Sequence, residues 1–246
     1  MDATEFAARL ERARARVAAA CRRAGRDPAE VAIVAVAKNF GPQDVAVAAA
    51  CGQTRIGESK VQEARQKIPL CPGGVEWHMV GHLQTNKARD AARLFGMIHS
   101  VDSERLLRAL DAACGEAGVR MPVCLQVNVS GESSKFGLPP EDGPSALEAC
   151  AGLACVEVVG LMTIPPFSRD AEEARPHFRR LRELRDRWRA AAGGELAHLS
   201  MGMSDDFEVA VEEGATLVRL GTALFGARTG RGAGARAAAE SEATEQ

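Results

Sequence analysis

The chain has 246 residues, is 46% apolar, carries 31 Lys and Arg against 33 Asp and Glu, and has a formal net charge of -2. That length supports a sizeable core in one large domain or two small ones, and charges this nearly balanced exert no long-range pull toward nucleic acid or an anionic membrane. No stretch reaches the roughly 18 unbroken apolar residues of a spanning helix, and seven cysteines without a CxxC pair read as reduced packing residues of a cytoplasmic protein.

In chain order, the first element is an arginine-rich amphipathic stretch. Residues 1–26 alternate Ala and Arg with Glu5 and Glu11 and have no continuous apolar core, so they are neither signal peptide nor anchor, and residues 3–25 are predicted to form an extra helix before the first strand. Val31-Ala32-Ile33-Val34-Ala35-Val36-Ala37 then has the length and apolarity of a buried parallel strand, and it ends in Lys38. Ligands of α/β folds gather at the carboxyl ends of such strands. A lysine in apolar surroundings loses proton affinity, because burial disfavours the ammonium, and the deprotonated amine attacks carbonyls. With 26 Arg and only 5 Lys in the chain, a lysine kept here points to imine chemistry, which arginine cannot perform. The plain alternative is a side chain reaching from the strand end into water.

Further strand-length runs follow at 54–57, 76–80, 97–101, 121–128, 155–162, 197–200 and 216–220, eight in all, with helical patterns between them such as 42–51, 103–117 and 170–192. This alternation predicts an α/β protein whose strands close into a (β/α)8 TIM-type barrel. Gly41-Pro42, Pro139-Pro140 and Pro165-Pro166 mark helix starts, and Gly193-Gly194 ends the long helix. The arginines of that helix alternate with Glu172, Glu173, Glu183 and Asp186, as on a solvated face. His78 and His82 stand four apart but straddle Gly81 and a predicted strand-to-loop transition rather than one helix face, so no metal site is expected. No linker interrupts residues 1–228, which are read as one domain, and the Gly, Ala, Ser and Glu-rich segment 229–246 reads as a disordered polar tail.

The loops after the last two strands meet at the barrel top, where barrels commonly bind phosphate. Ser200-Met201-Gly202-Met203-Ser204-Asp205-Asp206 is a small-residue turn whose N–H groups can point inward before a helix at 205–213. In Arg219-Leu220-Gly221-Thr222, Gly221 permits close backbone approach and Thr222 opens a short helix. An amine on strand one facing these donors suits a phosphorylated aldehyde, and pyridoxal 5'-phosphate (PLP) is the cofactor of that description. Arg219 has three readings: pairing with the phosphate, facing the pyridine nitrogen, or a structural ion pair at the rim. A class I aldolase acting on a sugar phosphate also places an imine-forming lysine in such a barrel.

Over nearly the whole chain to Arg228 the sequence resembles the pyridoxal phosphate homeostasis proteins, the YggS/PROSC-like group related to the barrel domain of alanine racemase. The motifs are Val36-Ala37-Lys38, Ile56-Gly57-Glu58 with Val61-Gln62-Glu63, Trp77-His78-Met79-Val80-Gly81-His82-Leu83-Gln84-Thr85-Asn86-Lys87, Gln126-Val127-Asn128 with Lys135-Phe136-Gly137, Gly160-Leu161-Met162, Leu199-Ser200-Met201-Gly202-Met203-Ser204, and Arg219-Leu220-Gly221-Thr222-Ala223-Leu224-Phe225-Gly226. The resemblance implies that Lys38 carries PLP as an internal aldimine, and that Ser200, Met201, Gly202, Ser204, Arg219, Gly221 and Thr222 hold its ring and phosphate. It also implies a protein that buffers the reactive aldehyde and hands it to apo-enzymes; apolar residues on the exterior helices are few and scattered, so a monomer is expected. Two departures stand out: Gly57-Glu58-Ser59 where the family commonly has Gly-Glu-Asn, and Asn39-Phe40-Gly41 after the lysine in place of a Thr-Lys-Pro type. An alanine-type racemase needs a tyrosine as second base and an additional domain; this sequence has no tyrosine and the barrel is expected to consume the chain, so a carrier is preferred over an amino-acid racemase or lyase. His78, His82, Asn86, Lys87, Asn128 and Lys135 fall near predicted strand ends without an assigned role.

Overall fold

A computed structural model describes residues 1–132, 135–192 and 196–226, and in it eight parallel strands close into a barrel in sequential order. They are β1 (Ala32–Val36), β2 (Arg55–Glu58), β3 (Glu76–Met79), β4 (Met97–Val101), β5 (Met121–Gln126), β6 (Val156–Met162), β7 (His198–Ser200) and β8 (Leu217–Leu220). All lie within the predicted runs except β2, which is displaced by one residue. Pairing of Ala32 with Leu217 through to Ala35 with Leu220 joins the last strand to the first. The predicted tail and Gly193-Gly194 lie outside the described residues.

The helices around the barrel are α1 (Ala3–Arg23), α2 (Pro42–Ala50), α3 (Val61–Lys67), α4 (Ala88–Leu94), α5 (Glu104–Ala117), α6 (Gly143–Cys150), α7 (Arg175–Ala192), α8 (Phe207–Glu212) and α9 (Thr222–Phe225). Local chemistry sets their starts. Pro42 occupies the first turn of α2 while Asp44 accepts from the Gly41 N–H at 3.0 Å, and the Ser103 hydroxyl accepts from Leu106 N at 3.3 Å at the head of α5. The predicted helix 170–192 is split: a 3-10 turn at Ala171–Ala174, with Asp170 accepting from Glu172 N, precedes α7. The extra helix α1 buries Phe6, Leu10, Ala13, Val17 and Ala20 as one stripe and packs against α8 and α9.

Strand alternation divides the apolar residues into two clusters. Ile33, Ala35 and Ala37 face the helices, whereas Val34 and Val36 join Val80, Met97, Cys124, Met162 and Leu217 inside the barrel. Gly57 makes room there, since a Cβ on it would lie 3.1 Å from Val34 Cγ1 and 3.3 Å from Val36 Cγ2. The barrel is therefore a packed core, and any ligand must sit above it at the carboxyl-terminal mouth.

Candidate functional site

Lys38 lies two residues beyond β1, in a turn, and is exposed. The residue expected in apolar surroundings is thus at an exposed position, because the apolar run stops at Ala37. Two features hold the turn. Asn39 is the one non-glycine among the described residues with positive φ (67°), a left-handed conformation that asparagine tolerates. Phe40 then stacks on Phe225 of α9 at 4.8 Å, and Phe225 in turn contacts Phe6 of α1.

Beneath the turn lies a pair that the sequence did not reveal. Lys67, at the end of α3, donates to the Ala37 carbonyl at 2.8 Å and pairs with Glu58 of β2; both side chains are buried. The Ala37 oxygen also accepts from Phe40 N at 3.0 Å, so two donors fix the residue before Lys38. Burial pushes the Glu58 carboxyl up, and the Lys67 hydrogen bond opposes that rise. Lys67 is as uncommon a residue in this arginine-rich chain as Lys38, and that scarcity was a signal which could have found it.

On the opposite wall, Ser200 ends β7 and Arg219 sits in β8, both buried. Arg219 Nη1 donates to Ser200 O at 2.7 Å and Ser200 Oγ at 2.8 Å, and Nη2 donates to Thr163 O at 3.0 Å. Burial lowers the guanidinium to about 10, partly offset by Asp206, so it stays charged at neutral pH. Gly202 has φ 91°, and a Cβ there would meet Ala210 Cβ at 2.5 Å and Phe207 Cα at 2.9 Å. Its carbonyl accepts from Arg219 N at 2.9 Å. Ser204 Oγ accepts from Gly221 N at 3.3 Å and Ala223 N at 3.1 Å, bridging this loop to the start of α9, where Thr222 is exposed. Gly221 lies beside Val36, since a Cβ on it would be 3.7 Å from Val36 O, so the α9 start neighbours the Lys38 turn. Met201 differs from its neighbours. Its side chain is wholly within the core and its N–H is taken by Leu217 O, so it offers no side-chain contact at the mouth.

Of the motif residues left unassigned, His78, His82 and Asn128 have side-chain partners, and Lys135 Nζ lies 3.6 Å from Glu132 Oε1. His82 pairs with Asp102 at 3.1 Å and stacks on Phe136; Asn128 donates to Glu132 O and accepts from Ser130 Oγ and Gly131 N, shaping the loop after β5. Ser59 packs its backbone against Gly81, where a Cβ would fall 2.3 Å from Ser59 O. His78 Nδ1 lies 2.8 Å from His99 Nε2, and His99 Nδ1 lies 2.7 Å from Ser200 Oγ. His99 was not singled out by sequence, although a His-Ser step inside the apolar run 97–101 carries the same signal as a strand-end lysine. A cleft of about 580 Å³ opens at the amino-terminal end of the barrel beside Arg26, Arg182 and His198, but Arg26 is satisfied by Val211 O and Ala215 O and Arg182 by Glu213. Its charges are already matched.

A closed (β/α)8 barrel with a lysine just past β1 and glycine-containing turns after β7 and β8 is the class to which residues 8–229 match, the family described as alanine racemase, N-terminal domain. Within that class the chain is 44% identical over 226 residues to a pyridoxal phosphate homeostasis protein of Pseudomonas aeruginosa (91% of this chain, 96% of the relative). It is 42% identical over 221 residues to one of Aquifex aeolicus (89% and 97%). The chain belongs to the pyridoxal phosphate homeostasis protein family. Among solved structures it resembles PipY of Synechococcus elongatus with PLP bound, at 38% identity and a TM-score of 0.77, covering 90% of this chain and 100% of that one.

Proposed function

We propose that residues 1–228 act as one domain that binds PLP reversibly at Lys38 in the cytoplasm, and that the protein works as a monomer in PLP homeostasis, buffering the cofactor or delivering it to apo-enzymes. The observation that carries the reading is the cluster at the mouth: the Ser204 hydroxyl, which accepts from the Gly221 and Ala223 N–H groups, and the exposed Thr222 gather at the α9 start, one strand away from the Lys38 turn, where a phosphate oxygen would compete with Ser204 Oγ for those two N–H groups. That cluster suits a phosphate, and Gly202, packed in a left-handed turn against Phe207 and Ala210, shapes the loop that carries Ser204. The likeness to PipY, whose structure contains PLP, supports the same choice of ligand.

When bound, PLP supplies an aldehyde that condenses with a lysine amine and releases water. The chain's own residues favour holding over turnover. Lys38 stands in an exposed turn at the barrel mouth, on the side from which an incoming aldehyde and the competing amines of a recipient approach, as exchange requires. Ser200, with the backbone of Met201 and Gly202, walls the ring side. Arg219 offers only N–H donors and, at about 10, keeps its charge, so it withholds a proton from a ring nitrogen set against it. No tyrosine is available in these 246 residues as the second base of racemisation.

The test is the absorbance of the protein with added PLP, followed by borohydride reduction and peptide mapping. A bound-cofactor band with the adduct on the Lys38 peptide, absent in Lys38→Ala, is expected; an undiminished adduct in Lys38→Ala overturns the anchor. Exchange of a deuterium-labelled amino-acid α-proton would contradict the non-enzymatic part, and sedimentation as a dimer the monomer.

A further inference from the structure

Arg219 does not end at Ser200. From that hydroxyl a file of buried polar groups crosses the barrel interior: His99 on β4, His78 on β3, and then Glu76 at the first residue of β3, whose carboxylate reaches solvent at the opposite end. His78 Nε2 lies 3.2 Å from Glu76 Oε1, off the line of an ideal hydrogen bond, and Glu76 Oε2 is paired with Arg55 Nε at 3.1 Å.

The direction of this file follows from its two ends. Arg219 is donor-only, so Ser200 Oγ accepts from it, and the hydroxyl hydrogen goes to His99 Nδ1. His99 must then be neutral with its proton on Nε2, donating to His78 Nδ1, which leaves the His78 proton on Nε2 facing the carboxylate. Reversing any link would set the His78 Nε2 lone pair against Glu76 and leave the Ser200 hydrogen without its acceptor. The cation and the carboxylate therefore impose the same polarity. The shifts agree: burial, with His78, Arg219 and His198 nearby, holds His99 well below 6.5, and the His78 contact holds Glu76 below the usual carboxylate range.

We propose that Glu76, His78 and His99 are positioning residues for Arg219: their one-directional file, hydrogen-bonded from Ser200 to His78 and closed on Glu76 by a 3.2 Å charge contact, orients the Ser200 hydroxyl to receive the guanidinium, and the state of the carboxylate at the amino-terminal end is felt at the mouth. Its link to a ligand rests on the PLP reading above; the file itself does not. The groups that bear on it are Arg55 from β2, His198 from β7, Cys124 from β5 and Asp206 from the loop after β7. Protonating His99 would turn Nδ1 from acceptor to donor and set a second cation beside Arg219.

Nitrogen-resolved NMR of the ligand-free protein decides the matter. The expected result is His99 neutral in the Nε2–H form near pH 7, with slowly exchanging Arg219 guanidinium protons, and in Glu76→Gln a moved His99 Nδ1 signal and faster Arg219 exchange. Glu76 is half-exposed, so this variant keeps the fold. An Nδ1–H His99, or Arg219 signals indifferent to Glu76→Gln, overturns the proposal whether or not PLP binds. With PLP added, Glu76→Gln should weaken affinity roughly 3- to 30-fold and move the pH midpoint of the bound-cofactor band, while Lys38 still takes the borohydride adduct. Affinity and midpoint equal to wild type would overturn the coupling to the mouth, whereas no binding by wild type at all would count against the PLP reading and leave the NMR outcome for the file standing.

Discussion

The ion pair of Glu58 and Lys67 shows what a single buried residue costs here. Lys67→Met would leave the Glu58 carboxylate buried without its partner and remove one donor from Ala37 O, for a loss of about 3 to 5 kcal/mol in urea unfolding. Adding Glu58→Gln to that variant should recover much of the loss, because the uncompensated charge is gone; equal stabilities of the single and double variants would refute the account. His99 sets a pH dependence at the same scale. Its folded value is depressed below the unfolded 6.5, so the unfolded chain takes up a proton first as pH falls, and stability present above 6.5 is lost below it. The slope contributed approaches about 1.4 kcal/mol per pH unit. His198 and His177 are depressed in the same sense, while Glu58 and Asp206, raised by burial, oppose it at lower pH. Urea midpoints between about pH 7.5 and 5.5 should therefore fall in the wild type and fall less in His99→Gln.

Among the elements, α1, α7 and α8 are joined by charge. Arg16 and Arg23 of α1 reach Glu208 and Glu212 of α8, while Arg175, Arg179 and Arg182 of α7 converge on Glu213, whose side chain is only 6% exposed. Exposed pairs are worth little singly, but a carboxylate shared by three arginines is another case. Glu213→Ala should cost about 2 kcal/mol and Arg16→Ala, which also loses its stacking on Phe207, about 1 kcal/mol, with salt reducing both differences in thermal melts. The strands were legible in the sequence because parallel strands buried on both faces are near-continuous apolar runs, as at 31–37. Helices α3 and α4, of seven residues each, went unnamed because two turns show too little period to read. The sequence marks the proposed site residues where a polar side chain interrupts or ends an apolar run, as at Lys38 and Arg219. What sequence could not supply was direction: Met201 continues the alternation of β7 and joins Leu199 in the outer core rather than facing the mouth, and Lys67 meets Glu58 only through the packing of α3 on β2.

For the whole molecule, closure leaves no edge among the eight strands and makes binding a global stabiliser. If PLP binds the folded barrel alone, a hundredfold excess over its dissociation constant should add about 2.7 kcal/mol and raise the melting temperature, with a much smaller rise in Lys38→Ala. The pairing of β1 with β8 has one more consequence. Lys38 leaves the ribosome early, but its proposed phosphate-binding neighbours, Gly221 and Thr222, are made some 180 residues later. A growing chain thus displays the reactive amine long before it can grip the cofactor's other end, so stable capture of the aldehyde reports that synthesis has passed the last strand and the ring of strands has shut.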